Sequence, residues 1–285
     1  MKKKIFQKKF KVVANDKISG DYFKITLEAA DIARAARPGQ FLMLRPDCGS
    51  EPLLRRPLGV HSVKKDKIDI LYEVVGKGTV MLSKKRPDDY IDAIGPLGNG
   101  FELNALGYGT TPVLIAGGMG VAPLFFLAEK IMERKAQRAT PARRPAGKTL
   151  VILGAKTKST ILCENKFIKL GCEVKVSTDD GSKGFKGTAV SLLKQALSTI
   201  DYRQAIIYAC GPQAMLKELS YFASKRRITA FGSFEEHMAC GFGACLGCVI
   251  KVMGQSAGNK NEFLYKRVCK DGPVFALSQI VWRKD

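Results

Sequence analysis

The first hundred residues alternate apolar and polar side chains over short stretches separated by turn residues. Strands are predicted over residues 10–14, 22–28, 41–44 and 67–75, of which residues 22–28 alternate and residues 41–44 are continuously apolar. Strict alternation predicts strands with one buried face. The frequent glycines and prolines between the stretches favour a small antiparallel β-barrel. One short helix is predicted within this region, over residues 80–84.

From residue 111 onward, apolar strand patterns alternate with helical patterns. Strands are predicted over residues 111–116, 150–154, 173–177 and 204–210, and helices over residues 124–133, 159–170, 188–197 and 211–219. This alternation predicts a doubly wound parallel sheet with helices on both faces, and such a fold binds ligands at the carboxyl ends of its strands.

Near the C-terminus the cysteines have the spacing of an iron–sulfur site. Cys240, Cys245 and Cys248 follow the pattern C-x4-C-x2-C, and Cys269 comes later in the chain. This is the plant-type spacing for a [2Fe-2S] cluster, whose two irons need four thiolates. The sequence therefore predicts that these four cysteines are metal ligands.

The glycines between the cysteines support this prediction. Gly241, Gly243 and Gly247 lack a Cβ that would keep the loop from curling around a cluster, and their amides can approach its sulfur atoms. The alternatives are a zinc-binding knuckle or a set of buried free cysteines, although zinc sites more often contain paired C-x2-C units. His237 lies three residues before Cys240, but four cysteines already suffice as ligands.

These patterns predict a multi-domain chain. The expected parts are an antiparallel β-barrel over residues 1–106, a doubly wound α/β domain over residues 107–230 and a small [2Fe-2S] domain over residues 231–285. The length of 285 residues is compatible with two or three domains.

The net charge of +21, from 47 basic and 26 acidic residues, first suggests a polyanionic partner. The charges are spread along the chain, however, so we expect anionic nucleotides and an acidic protein partner rather than nucleic acid. The densest basic run, residues 134–148, is predicted to be a solvated loop.

We expect no membrane segment and a cytoplasmic location. No apolar run reaches the length of a transmembrane helix, and the basic N-terminus lacks the apolar stretch of a secretory signal. The cysteines are then expected to be thiols or metal ligands rather than disulfides.

Two stretches of the expected barrel have candidate anion-binding chemistry. Arg56 precedes Pro57, and an arginine offers a planar fork for phosphate while the proline fixes the backbone beside it. Residues 75–79, Val-Gly-Lys-Gly-Thr, can direct amides at an anion, with Thr79 expected to cap the helix after it. Each stretch taken alone could also be a plain surface turn.

The α/β domain has three candidate ligand-binding turns. Gly118-x-Gly120-x-x-Pro123 resembles a dinucleotide-binding turn, with proline where the fingerprint has glycine or alanine. Cys210 ends a predicted strand, where it could face a nicotinamide ring or be a small buried residue. Residues 178–181 follow another strand and form the third turn.

The order of a flavin-type barrel, a nicotinamide-type domain and a [2Fe-2S] tail resembles the ferredoxin–NADP reductase superfamily. Within it, the sequence is most similar to the electron-transfer subunits of class 1B dihydroorotate dehydrogenase. The motifs that carry the resemblance are Arg56-Pro57-Leu58-Gly59, Leu71-Tyr72-Glu73, Gly78-Thr79, residues 95–101, residues 116–123, residues 209–212, the cysteine block 240–248 and residues 268–275.

The resemblance implies three cofactors, namely FAD, NAD(H) and a [2Fe-2S] cluster. It places FAD against the barrel at Arg56, Pro57, Leu58, Gly59, Leu71, Tyr72, Glu73, Gly78 and Thr79. It implies that NAD(H) binds the second domain, where the strand ends and glycine turns predict a site at Gly117, Gly118, Gly120, Pro123, Asp180, Cys210, Gly211 and Pro212. The cluster ligands it implies are Cys240, Cys245, Cys248 and Cys269.

The resemblance also implies a partner. Electrons would pass to or from the FMN of a separate catalytic subunit, which oxidises dihydroorotate to orotate in pyrimidine synthesis, within a heterotetramer of two of each subunit. The chain itself would need no catalytic acid or base. A nicotinamide moves two electrons and a cluster moves one, and flavin is stable in both regimes.

Some residues depart from the family pattern. Gly59 stands where a hydroxyl residue is common, Glu73 where an arginine is common, and the spacing between Cys248 and Cys269 is long. Lys156 and Lys158 follow a strand where a 2′-phosphate could bind, so NADPH stays open beside NADH.

Two other functions are compatible with parts of the pattern. One is a diaphorase subunit of a hydrogenase or of a ferredoxin–NADP oxidoreductase complex. The other is a zinc-stabilised basic binding protein without a redox role.

Overall fold

The computed structural model describes two compact units. The described residues are 4–46, 49, 51–104, 106–107, 109–138, 148–197, 204–254 and 263–282. The first unit contains residues 1–100 and 235–273, and the second contains residues 101–234 and 274–285. The cysteine segment therefore belongs to the same unit as the N-terminal sheet, and the finer division into three domains stays a prediction.

The first unit is built on a curled seven-stranded antiparallel sheet. Its elements are β1 (Phe6–Ser19), β2 (Tyr22–Glu28), α1 (Ala30–Ala35), β3 (Phe41–Arg45), β4 (Arg56–Gly59), β5 (Ser62–Lys64), β6 (Lys67–Glu73), α2 (Lys77–Ser83) and β7 (Tyr90–Leu97). The strand order is β4-β3-β7-β1-β2-β6-β5. Alternate side chains such as Ile25, Leu27 and Ile70 are fully buried on one face. The predicted antiparallel half of the fold is confirmed.

Helix α2 begins earlier than the sequence predicts. Its N-cap is Gly76, and Thr79 is the third helical residue. The Thr79 hydroxyl accepts hydrogen bonds from the amides of Val75 (2.9 Å) and Gly76 (3.2 Å). The expectation that Thr79 caps a helix after it is therefore wrong, because its side chain binds amides that precede it.

A half-buried polar cluster holds the other end of α2. The Asn15 amide donates to the carbonyls of Leu82 and Lys85, both at 2.9 Å, and its oxygen accepts from the Tyr72 hydroxyl at 3.0 Å. Burial raises the pKa of Tyr72 to about 12, so the hydroxyl stays protonated and can donate. These contacts add side-chain donors to the carbonyls at the C-terminal end of the helix, where Leu82 also accepts from the Lys85 amide.

The second unit contains the expected parallel sheet with helices. Its elements are β8 (Thr111–Gly117), α3 (Val121–Arg138), β9 (Leu150–Ala155), α4 (Glu164–Lys169), β10 (Glu173–Thr178), β11 (Phe185–Lys186), α5 (Ala189–Ala196), β12 (Ala205–Cys210), α6 (Gln213–Arg226) and β13 (Thr229–Ser233). The strands lie in the order β11-β10-β9-β8-β12-β13, and all these pairs are parallel. The doubly wound α/β fold is confirmed.

Two helix predictions in this unit need correction. Helix α3 continues to Arg138, so the first part of the basic run is helical rather than a loop; its Lys, Ala, Gln and Arg residues are good helix formers. Residues 139–147 of that run lie outside the described residues. The single helix predicted over residues 159–170 is interrupted at Cys163, whose φ of 62° is left-handed.

The C-terminal segment adds a hairpin and an edge strand. Strands β14 (Val249–Met253) and β15 (Phe263–Arg267) pair antiparallel in the first unit. Strand β16 (Val274–Ala276) then pairs antiparallel with β13 in the second unit, with Ser233 opposite Val274.

None of the helices in the described part of the chain is both long enough and apolar enough to span a membrane.

The polar cluster around Asn15 supports a stability prediction. Tyr72→Phe keeps the ring but leaves the Asn15 oxygen without its donor, and we expect it to lower the free energy of unfolding by about 1–2 kcal/mol. Urea titration followed by circular dichroism measures this loss. Tyr265→Phe is the control, because Tyr265 is 70% exposed. Equal stability of the two variants would contradict the assigned role of the hydroxyl.

Candidate functional site

Two glycine turns of the second unit meet at the carboxyl ends of β8 and β12. These strands are neighbours, with Ala116 opposite Cys210. A Cβ on Gly120 would lie 1.9 Å from the Cys210 carbonyl oxygen, and one on Gly117 would lie 2.8 Å from Cδ of Pro212. Only glycine permits such a close approach.

The remaining residues of these two turns have distinct backbone roles. Gly211 has a φ of 157° and packs against Gly117, while Gly118 has a φ of 53° and open space around it. Pro123 lies in the first turn of α3, where its missing N–H costs no helical hydrogen bond. The departure from the dinucleotide fingerprint is therefore compatible with the helix.

The Cys210 side chain is buried, as the packing interpretation expects. Cys210 ends β12, and its backbone carbonyl, rather than its thiol, faces Gly120 where the two glycine turns meet. A role of the thiol towards nicotinamide stays a prediction.

Asp180 lies on the same edge of the sheet, after β10 and separated from β8 by β9. Its carboxylate accepts from the Ser182 amide (2.9 Å) and hydroxyl (2.6 Å), and these bonds lower the pKa of Asp180. The Ser182 hydroxyl also accepts from the amide of Lys158 at 2.7 Å. Sequence reasoning missed Ser182, although an Asp two residues before a Ser is an Asx-turn signal.

The two candidate anion-binding stretches of the first unit come together. Arg56 lies on β4, and its guanidinium occupies the space beside Gly78: a Cβ there would lie 2.4 Å from Nε and 2.8 Å from Nη2. The Arg56 guanidinium also donates to the carbonyl of Leu54. An arginine fork, a glycine without side chain and a helix start beside it form a cradle that suits a phosphate.

The other barrel residues predicted to bind a cofactor have different environments. Pro57, Leu58 and Gly59 continue β4 as half-buried residues paired with β3. Leu71 and Tyr72 are buried within β6, and the Tyr72 hydroxyl already binds Asn15. Glu73, at the end of β6, is half-buried like the residues of β4.

The four cysteines of the first unit form two pairs. The Cys240 sulfur accepts from the amides of Ala244 (3.3 Å) and Cys245 (3.5 Å), and the Cys248 sulfur accepts from the amide of Cys269 (3.4 Å). Two thiols for each of two irons is the ligand arrangement of a binuclear cluster. Within the described ranges, no three His, Cys, Asp or Glu side chains form a group suited to a single metal ion.

The two pairs differ electrostatically. Burial acts to raise the pKa of Cys240, but hydrogen bonds from the backbone of Cys245, Phe242 and Ala244 outweigh it and lower the pKa to about 6. Burial and the neighbouring Cys248 raise the pKa of Cys269 to about 12. Amides aimed at a sulfur stabilise its negative charge, which a thiolate ligand carries.

Left-handed residues give the cysteine loop its curvature. Gly241 and Gly243 have φ of 80° and 89°, and a Cβ on Gly241 would lie 2.4 Å from Cγ of Met43. The third left-handed residue is Leu246, with a φ of 59°, and not its neighbour Gly247. The glycine argument therefore holds at two of its three positions.

Asn99 connects the end of β7 with the turn that follows Cys269. Its side-chain amide donates to the carbonyls of Lys270 (3.1 Å) and Asp271 (2.9 Å), and its backbone amide donates to that of Gly272. Asn99 lies within the motif 95–101, but sequence reasoning assigns it no role, because its partners are more than 170 positions away.

Comparisons with known proteins match both units. Residues 235–281 match the family described as the iron-sulfur cluster binding domain of dihydroorotate dehydrogenase B, and residues 114–220 match the oxidoreductase NAD-binding domain.

Curated relatives match along nearly the whole chain. The dihydroorotate dehydrogenase B (NAD(+)) electron transfer subunit of Desulforamulus reducens is 40% identical over 275 residues, which cover 95% of this chain and 97% of the relative. The subunit of that name from Geobacillus thermodenitrificans is 36% identical, with coverages of 97% and 99%.

Solved structures have a similar fold. A chain of an NADH-dependent reduced ferredoxin–NADP oxidoreductase has a TM-score of 0.76 and 29% identity, covering 96% of this chain and 90% of its own. A ferredoxin–NADP+ reductase from Neisseria gonorrhoeae, with bound FAD and NADP, has a TM-score of 0.63 and 17% identity, with coverages of 81% and 94%. The second likeness shows the fold alone.

The contact between Gly120 and Cys210 generates a prediction. Gly120→Ala places a methyl group against a backbone carbonyl, so we expect the β8 and β12 turns to separate and NADH to bind at least roughly tenfold more weakly. Gly20→Ala is the comparison, because Gly20 lies in the first unit and has room for a methyl group, with only a left-handed strain of about 1 kcal/mol. Isothermal titration with NADH measures both, and equal affinities would contradict the packing argument.

Proposed function

The chain belongs to the family of dihydroorotate dehydrogenase B (NAD(+)) electron transfer subunits, and we propose that it carries electrons between NAD(H) and a separate catalytic subunit through FAD and a [2Fe-2S] cluster. The observation that carries this proposal is similarity along nearly the whole chain to relatives of that name, including the cysteine segment. It is an oxidoreductase subunit with an NAD-binding domain.

In this proposal the cluster ligands are Cys240, Cys245, Cys248 and Cys269. Two observations support this choice of ligands. The four thiols form two pairs, and the amides of Ala244, Cys245 and Cys269 donate to sulfur. A cluster held there would supply transfer of one electron at a time. The amides would stabilise the negative charge of the thiolates and thereby help to set the reduction potential.

The proposed FAD site is the cradle of the first unit. Arg56 would bind a phosphate oxygen pair with its fork, and the bare backbone at Gly78 leaves space for that guanidinium. A flavin there would supply the exchange between two-electron and one-electron chemistry. The proposed set is Arg56, Pro57, Leu58, Gly59, Leu71, Tyr72, Glu73, Gly78 and Thr79, with Leu71 and Tyr72 contributing through their backbone because their side chains are buried.

The proposed NAD(H) site is the edge of the second unit where the glycine turns meet. Gly117, Gly120 and Gly211 would hold the two turns close together, Gly118 would leave open space for the dinucleotide, and the Asp180 carboxylate would orient a ribose hydroxyl. The full proposed set is Gly117, Gly118, Gly120, Pro123, Asp180, Cys210, Gly211 and Pro212.

The name of the relatives implies a separate catalytic partner. We propose that this partner is an FMN-containing dihydroorotate dehydrogenase subunit, joined in a cytoplasmic assembly of two of each chain. The cysteine loop exposes half or more of the Phe242 and Leu246 side chains, and β14 and β15 expose further apolar residues beside it. Exposed apolar side chains grouped in this way are typical of a protein interface.

The decisive experiment is anaerobic co-expression of this chain with a candidate catalytic subunit. We expect a coloured complex that contains flavin, iron and acid-labile sulfide, and that reduces NAD+ when dihydroorotate is added.

The likeness to the ferredoxin–NADP oxidoreductase chain supports a second candidate, a subunit of such a complex. Co-purification with a ferredoxin-linked subunit and no dihydroorotate activity would favour it, and a colourless zinc-containing chain would overturn both.

The exposed apolar residues give a prediction for partner binding. Leu246→Asn keeps a residue that tolerates the left-handed backbone but removes the apolar contact. Together with Phe242→Ala, it should weaken binding of the catalytic subunit by about 2 kcal/mol, or roughly thirtyfold. Ile168→Asn, on α4 and 51% exposed, is the control. Surface plasmon resonance measures both affinities, while unchanged iron and flavin contents would show that folding is intact.

A further inference from the structure

Arg267 and Asp271 form an ion pair beside the cysteines of the first unit. The Asp271 carboxylate accepts from the Arg267 backbone amide (2.8 Å), from Nε (3.0 Å) and from Nη2 (3.3 Å). The guanidinium and the carboxylate thus meet at two donors, which is the strongest geometry for such a pair. Cys269 lies between the two residues in sequence.

The remaining donor of Arg267 reaches the other cysteine segment. Its Nη1 atom donates to the carbonyl of Gly243 at 3.2 Å, and Gly243 lies between Cys240 and Cys245. The arginine therefore connects the loop that carries three of the cysteines to the turn that carries the fourth. No other residue type offers so many donors in one rigid plane.

The guanidinium also lies in the electrostatic field of the thiols. The Asp271 carboxylate is the main cause that raises the pKa of Arg267, and the charges of Cys269 and Cys248 act in the same direction. A unit charge held against the cysteine loop through the Gly243 carbonyl acts on any charge that the sulfur ligands share with a metal centre.

The position of Asp271 does not depend on Arg267 alone. The Asn99 side chain donates to the carbonyls of Lys270 and Asp271 and holds this turn from the barrel sheet. Replacing the arginine should therefore leave the carboxylate near the cysteines as an unbalanced negative charge. Replacing the aspartate should likewise leave an unbalanced positive charge.

We propose that Arg267 is a positioning residue for the cluster and that the Arg267–Asp271 pair sets its reduction potential. The inference rests on the proposed function, since it requires that the four cysteines hold the cluster. Reduction adds one negative charge to the cluster, so a nearby positive charge favours the reduced form and a negative charge favours the oxidised form. The two members of the pair act with opposite sign.

The test is an anaerobic redox titration of the full chain, followed by electron paramagnetic resonance. At the midpoint potential of the unsubstituted chain, we expect Arg267→Gln to raise the ratio of oxidised to reduced cluster about tenfold, or about 59 mV for a one-electron couple. Asp271→Asn should lower that ratio. The double variant should return close to the original midpoint, because both charges are then absent.

Arg267→Lys separates charge from geometry. It keeps the positive charge but loses the planar fork that reaches Gly243, so the midpoint should stay close to the original while a chelator removes iron faster. Arg34→Gln is the matched control, because Arg34 pairs with Asp31 at 2.9 Å on α1 of the same unit.

Single variants that shift the midpoint in the same direction, or by no more than Arg34→Gln does, would overturn the inference. If Arg267→Gln binds no iron, the direction of the Asp271→Asn shift and the iron loss from Arg267→Lys decide it. An unsubstituted chain without iron and acid-labile sulfide would instead overturn the proposed function, and this inference with it.

Discussion

Hydrogen bonds from Asn99 to three successive carbonyls join the cysteine segment to the N-terminal sheet of the first unit. The neighbouring Gly98 makes this approach possible, because a Cβ there would lie 2.6 Å from the ring of Pro273. Cys269, one residue before the first of these carbonyls, is thereby fixed to the end of β7. This contact therefore helps to position the Cys248–Cys269 pair within the unit, together with the hydrogen bond from the Val268 amide to the Cys248 carbonyl.

Hydrophobic periodicity predicted both sheets but not all of their boundaries. The parallel sheet was predictable because its strands are short apolar runs between helical patterns. Strand β1 extends over Phe6–Ser19, well beyond the predicted stretch of residues 10–14. Its full length shows no regular alternation, because register shifts near Val12 and Lys17 change which side chains face inward. The start of α2 was missed because the Thr79 hydroxyl accepts from the amide of Val75, which precedes it in the chain, and composition alone does not predict this hydrogen bond.

The candidate site was predictable where its functional residues lie close together in the sequence. The cysteine block and the glycine turns lie within a dozen residues each, so their geometry is largely local. Asn99 and Arg267 were missed because their roles arise from contacts made only in the folded chain, over 171 and 24 positions. The left-handed Leu246 was missed because the glycine beside it was the more obvious candidate.

Strands β13 and β16 bring the two ends of the cysteine segment side by side, with Ser233 paired to Val274. The chain therefore leaves the parallel sheet after β13 and returns to its edge at β16, as it does around a domain inserted between two adjacent strands. Such an arrangement allows the intervening segment to be exchanged for a short reverse turn without cutting the sheet. Shortening the chain from its C-terminus, by contrast, would first remove the edge strand β16 from the sheet of the second unit and only then reach Cys269.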